Sequence, residues 1–240
     1  GITLANLGVV QQGLGLLKPA RANYLAALAI HRELGSRRSE GICHINLGDL
    51  AVEFEQPGQA LAHFESALQL VRDVGAARFE AVTLLSLASL HQQYGEYEDA
   101  MRRLPDAIDS LRDIGEQRYL GLALGMRAAV YALTGDLPGA EEEMAEASRV
   151  LTNVSDTKFL DALELYRGHI ELGHVISTRS ELQAQVLEER VRKRIAKAIA
   201  PGPPDEQHPT GTPSPSERSE YVRAALRSLR GAMQDNGRQA

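Results

Sequence analysis

The sequence predicts an all-α protein: a stack of about four and a half helix-turn-helix repeats closed by a C-terminal capping helix. Residue types return every 40 positions without an insertion, spacing inside each interval is helical, and glycine closes the intervals. The triplet Asn-Leu-Gly stands at residues 6–8 and again at 46–48. Stacked in rows of 40, its glycine continues as Gly8, Gly48, Ala88, Ala128 and Gly168, always small. Two residues later come Val10, Leu50, Leu90, Val130 and Ile170, always apolar. In the second half of each row, Ala20, Ala60, Ala100 and Ala140 align, as do Ala27, Ala67, Ala107 and Ala147. Between them stand Tyr24, Phe64, Leu104 and Met144.

Residues 2–14 and their counterparts form the first helix of each row. Positions 20, 24, 27, 28 and 34, like 60, 64, 67, 68 and 74, recur at helical intervals and trace the buried face of a second. The turns between the two helices fall at Leu17-Lys18-Pro19, Gln56-Pro57-Gly58, Gly95-Glu96 and Gly135-Asp136-Leu137-Pro138. Gly35, Gly75 and Gly115, with Ser155 in the fourth row, close the second helices where a left-handed residue is needed. Arg32, Arg72 and Arg112 in the preceding turn complement the helix dipole. Small residues at 8 and 20 are expected to let the two backbones approach closely. Pro105 falls inside a second helix, where it removes a hydrogen bond and predicts a bend.

Composition narrows the function. The 240 residues are 43% hydrophobic and 24% charged, as in a globular chain. No apolar stretch is long enough to span a bilayer, so a cytoplasmic location without membrane partners is expected. Residues 1–175 carry 15 Lys/Arg against 24 Asp/Glu, while residues 176–240 carry 11 against 8. The acidic body repels phosphate backbones, and Arg190, Arg192, Lys193, Arg194 and Lys197 lack interleaved aromatics, so nucleic acid is disfavoured. Arginine outnumbers lysine 22 to 4, which fits a GC-rich bacterial genome. The lone Cys43 reads as a small buried hydrophobe.

Row five keeps a first helix and loses the second-half pattern. The organisation read from this is a repeat region over 1–175, an amphipathic capping helix over 176–200, and a proline-rich linker over 201–214. A short amphipathic helix over 215–235 and a tail over 236–240 follow. Gly1 begins inside a repeat without a cap, which suggests that the chain is a fragment of a longer protein.

Leu7-Gly8, Ala20, Tyr24 and Ala27, repeated as Leu47-Gly48, Ala60, Phe64 and Ala67, resemble the tetratricopeptide repeat. Weaker copies run through Leu87-Ala88, Ala100, Leu104 and Ala107, and through Ala128, Ala140, Met144 and Ala147. The usual repeat has 34 residues; the 40-residue variant resembles those of spindle-orientation adaptors, kinesin light chains and sensor regions of bacterial ATPase or kinase regulators. The resemblance implies a right-handed α-α superhelix whose first helices line a concave groove for a protein or peptide. It places Asn6, Val9, Gln12, Asn46, Asp49, Glu53, Ser86, Ser89, Gln93, Met126 and Ala129 on that groove. In the long-repeat adaptors an asparagine at the place of Asn6 and Asn46 holds the peptide backbone; the other reading is an asparagine bonded to a neighbouring helix. No lysine stands in this groove, and an apolar or basic ligand suits its acidic and neutral lining.

No chemistry is nominated. There is no Gly-x-x-x-x-Gly-Lys-Ser/Thr and no His-Glu-x-x-His; His169 and His174 lie five apart near Glu171 but read as surface histidines on a helix end. The expectation is a non-enzymatic scaffold or sensor with no cofactor, no metal and no small-molecule ligand. Two alternatives remain open: a regulatory region packed on an attached ATPase or kinase domain, and, with less support, a nucleic-acid contact through 190–197.

Overall fold

A computed structural model describes residues 1–152, 157–178 and 193. Among these, all regular structure is helical: α1 Ile2–Gly13, α2 Leu17–Glu33, α3 Arg37–Glu53, α4 Pro57–Asp73, α5 Ala77–Gln93, α6 Tyr97–Asp113, α7 Gln117–Thr134, α8 Leu137–Leu151 and α9 Thr157–Thr178. From α2 onward a helix begins every 20 residues, so each 40-residue row is two near-equal helix-turn units. The expected segments over 176–200, 201–214, 215–235 and 236–240 lie outside the described residues, apart from 176–178 and 193.

The turns explain the regularity. Gly15, Gly35, Gly75, Gly95, Gly115 and Gly135 all have φ between 62° and 95°, and Glu55, in the same 20-residue register, has φ 56°. At each, the residue after the left-handed position donates to a carbonyl five residues back. Ser36 N–H reaches the His31 carbonyl at 2.9 Å, Gln56 N–H the Ala51 carbonyl at 2.9 Å, and Glu116 N–H the Leu111 carbonyl at 3.0 Å. These bonds satisfy the last carbonyls of one helix and turn the chain directly into the next.

The described helices fall into two compact units, one over Gly1–Leu90 and one beginning at His91. In the first, α1 packs on α2, α2 on α3 and α3 on α4. Its core is Ala20, Tyr24, Ala27, Leu28, Cys43, Leu47 and Leu50. The expected close backbone approach is modified here: a Cβ on Gly8 would lie 2.5 Å from Tyr24 Cε1, and one on Gly48 would lie 2.6 Å from Phe64 Cδ1. The glycines make room for a ring of the paired helix, so the aromatic at 24 or 64 goes with glycine at 8 or 48. The next two rows carry alanine with an aliphatic residue at these positions, Ala88 with Leu104 and Ala128 with Met144.

In the second unit, α6 packs on α7, and α7 on α8 and α9. Helix α6 runs from Tyr97 to Asp113 with Pro105 inside it. Pro105 is exposed, opposite the buried Ala100, Leu104, Ala107, Ile108 and Leu111. The lost donor therefore falls on the side where water reaches the freed carbonyl, and the helix does not end there. Helix α9 leans chiefly on α7 and less on α8, whereas α3 in the first unit leans on α2 and barely on α1. Glycines permit this: a Cβ on Gly125 would meet Tyr166 and Leu163 of α9, and one on Gly173 would lie 2.8 Å from the Ala132 carbonyl.

Candidate functional site on the first helices

The residues expected on the groove separate by unit. Asn6 and Val9 are exposed on α1, Gln12 is half-buried there, and Asn46, Asp49 and Glu53 are half-buried on α3. Ser86 and Ser89 hold the same register on α5 and are half-buried. One bond establishes that α1 and α3 share a face: Gln12 Nε2 donates to Glu53 Oε1 at 2.6 Å. The phenol of Tyr24 donates to Gln12 Oε1 at 2.7 Å, so α2 fixes the amide that fixes the carboxylate. Burial, then Asp49 and Glu53, push the Tyr24 phenol above its ordinary value, which keeps it neutral and a donor.

Asn6 and Asn46, 40 residues apart, have no hydrogen-bond partner among the described residues. The reading in which they serve to tie neighbouring helices is therefore not what these side chains do. By contrast Asn23, on α2, donates to Gln11 Oε1 at 2.6 Å.

The second unit differs. Met126 and Ala129, expected on the same groove, are 3% and 0% exposed. Helix α9 packs on α7 in this unit and lies close to Gly125, next to Met126 in the chain. Gln93, also in this unit, is half-buried.

Other candidate groups resolve into structural roles. Arg32 Nε bonds Glu40 at 2.8 Å and Arg72 Nε bonds Glu80 at 2.6 Å, an ion pair repeated at the equivalent turn of consecutive rows. Arg32 and Arg72, expected only to serve the dipole, thus also tie a second helix to the first helix of the next row, whereas Arg112 reaches Glu146 of α8 at 2.9 Å. Cys43 is buried, and burial raises its thiol above the usual range, so it is an unreactive hydrophobe. Of the two histidines expected at the surface, His169 is instead buried within α9, where Nδ1–H donates to the Leu165 carbonyl at 3.1 Å, while half-buried His174 Nε2 bonds Glu141 at 3.1 Å, so the two are engaged apart. Sequence reading missed one group: ligand atoms of His91, Glu96 and Asp99 lie within 4.8 Å of one another. His91 Nδ1 bonds Glu96 at 2.6 Å and Asp99 pairs with Arg102, while His91 Nε2 is buried without a hydrogen-bond partner among the described residues. The signal that could have found it is the His-x-x-x-x-Glu-x-x-Asp spacing across a glycine turn.

Stacked helix-turn-helix pairs with this register define a repeat protein. Residues 1–73 match the family model described as tetratricopeptide repeat, and residues 74–135 match that described as anaphase-promoting complex subunit 5. Residues 1–73 are thus of the tetratricopeptide type, and the helices that follow continue the same helix-turn-helix architecture. No curated protein matches it. Among solved structures, it is similar to BtubC (BKLC) from P. vanneervenii, with TM-score 0.61 and 16% identity over 86% of this chain and 84% of that one. It is also similar to aspartyl phosphate phosphatase F from Bacillus subtilis, with TM-score 0.65 and 15% identity. That match covers 96% of this chain and 59% of the other. These likenesses establish the fold. Repeats of this type are typically non-catalytic modules of protein–protein interaction. No helix among the described residues is long and apolar enough to cross a membrane.

Proposed function

We propose that this chain is a scaffold or sensor module that holds an extended segment of a partner protein on the face shared by α1 and α3, extended by Ser86 and Ser89 of α5. The observation that carries the reading is the pair Asn6 and Asn46, in identical register and without partners among the described residues. A side-chain amide offers one acceptor and two donors, which matches the carbonyl and N–H of an extended backbone. Helices pack at about 8–10 Å, so two such amides would meet a strand at points roughly three residues apart. The resemblance to sensor regions of bacterial ATPase and kinase regulators supports placing the module in a larger signalling protein.

The test is partner capture by the full chain, wild type against Asn6→Ala plus Asn46→Ala. The reading expects the captured partner to fall at least about tenfold, two lost backbone clamps at about 1 kcal/mol each, with the helical circular dichroism unchanged. Equal capture by both proteins removes the asparagines from the account.

A further inference from the structure

In the first unit, three side chains from three helices form a chain of hydrogen bonds. Arg32 of α2 lies with a terminal guanidinium nitrogen 3.1 Å from His44 Nε2, and His44 Nδ1 of α3 lies 3.0 Å from His63 Nδ1 of α4. The two imidazole centroids are 5.2 Å apart. His44 is only 6% exposed.

The geometry fixes every proton in this chain. A guanidinium only donates, so His44 Nε2 must be bare and accept. A neutral His44 then carries its proton on Nδ1 and donates it to His63 Nδ1. That nitrogen must be bare as well, which leaves the His63 proton on Nε2. The chain exists only while both rings are neutral. A proton on His44 Nε2 faces Arg32; a proton on His63 Nδ1 faces the N–H of His44.

The charges around it oppose protonation. Arg32 and Arg21 come from α2, and among the described residues the favourable charge is Glu40 of α3, already bonded to Arg32 Nε at 2.8 Å. Burial, then His63 and Arg32, lower His44 to about 4; burial, then Arg21 and Arg32, lower His63.

The repeat shows that the fold does not require imidazoles here. Position 44 is Leu4, Leu84, Leu124 and Glu164 in the other rows, and position 63 is Asn23, Arg103 and Glu143 in the rows that keep the second half. In the first and fourth rows the counterpart of His63 also ties its helix to the preceding one, through Asn23 to Gln11 and Glu143 to Arg127. Neither tie contains an imidazole; the second row alone has built the tie from two histidines.

We propose that Arg32, His44 and His63 form an acid-released latch, which at neutral pH ties α2, α3 and α4 together and which one proton on either ring opens. His44 stands two residues before Asn46, so the latch makes the placing of α3 conditional on pH. For a histidine whose folded pKa lies below the unfolded value, stability is complete above about pH 6.5. It is lost as pH falls, because the unfolded state binds the proton more tightly. Opening therefore becomes up to about tenfold easier per pH unit for each such histidine between about 6.5 and its folded value.

The test uses the full chain and His44→Leu plus His63→Asn, the residues that other rows carry at these positions. Hydrogen exchange of the α3 amides, corrected for intrinsic rates, is followed from pH 7.5 to 5, with α7 as a reference because buried His169 of the second unit is present in both proteins. In the wild type, α3 protection falls by at least about tenfold relative to α7, and in the double variant by less than about threefold. An equal fall in both overturns the latch. Nitrogen NMR of the wild type decides independently of whether the variant folds. At pH 7.5 the expected tautomers are Nδ1–H for His44 and Nε2–H for His63, both titrating below 6.5. The opposite tautomers, or imidazolium rings at pH 6.5, overturn it equally.

Discussion

Gly48→Ala lowers the stability of the full chain by about 2 kcal/mol, and Phe64→Leu in the same chain restores most of it. In a solvated helix the substitution would be favourable by about 1 kcal/mol, since alanine has the higher helix propensity. Here the new Cβ falls 2.6 Å from Phe64 Cδ1 and 2.9 Å from Cζ. Phe64 is 1% exposed and cannot swing away. Overpacking of this kind costs about 1–3 kcal/mol and more where the neighbour is fixed, which outweighs propensity. Leucine at 64 removes the ring edge and recreates the alanine-leucine combination that the third row carries at 88 and 104. Phe64→Leu alone leaves a void and costs about 1 kcal/mol, so the double-mutant cycle shows a coupling of about 2 kcal/mol. Urea unfolding of the four proteins measures it; a Gly48→Ala protein more stable than wild type contradicts the ring-in-glycine packing.

Glu143→Ala destabilises by about 2 kcal/mol, whereas Arg127→Leu plus Glu143→Ala is neutral or stabilising. Arg127 of α7 donates to Glu143 of α8 at 2.6 Å, with side chains 17% and 16% exposed. Removing one partner leaves a mostly buried charge; the full penalty of about 3–5 kcal/mol is reduced by the remaining solvent. Removing both replaces an ion pair with apolar packing, which is often neutral or better. The register says that leucine fits: Arg127 occupies the column of Leu7, Leu47 and Leu87, and Leu47 and Leu87 are buried. Thermal unfolding compares the two variants, and a double variant less stable than Glu143→Ala contradicts the account.

These cases also show what the sequence makes legible. The 40-residue register locates helices and turns because left-handed closing residues and small helix-facing residues are set by backbone geometry, which the residue type records directly. The halving of that period to 20 was visible as Gly15, Gly95 and Gly135 standing midway between Gly35, Gly75 and Gly115, with Glu55 breaking the column. The ring that fills the glycine slot was visible only as a pairing of residue sizes between two columns. Side-chain ties were not legible, since Asn23, His63 and Glu143 share a column but no chemistry. Met126 and Ala129 are buried where Ser86 and Ser89 are half-buried, and the close approach of α9 to α7 in this unit is signalled outside the repeat pattern, by Gly125 and Gly173. At the candidate site, the register positions of Asn6 and Asn46 were readable, but whether their amides were engaged required coordinates.

The most direct measurement of the central claim is photo-crosslinking from single positions of the full chain. A photoreactive phenylalanine analogue is placed at Val9 or Ser89 on the candidate face, and at Leu25 or Glu65, exposed on α2 and α4. If the first helices of the Gly1–Leu90 unit hold the partner, it crosslinks from 9 and 89 and not from 25 and 65. Crosslinks confined to 25 and 65 would place the partner on the second helices and contradict the account.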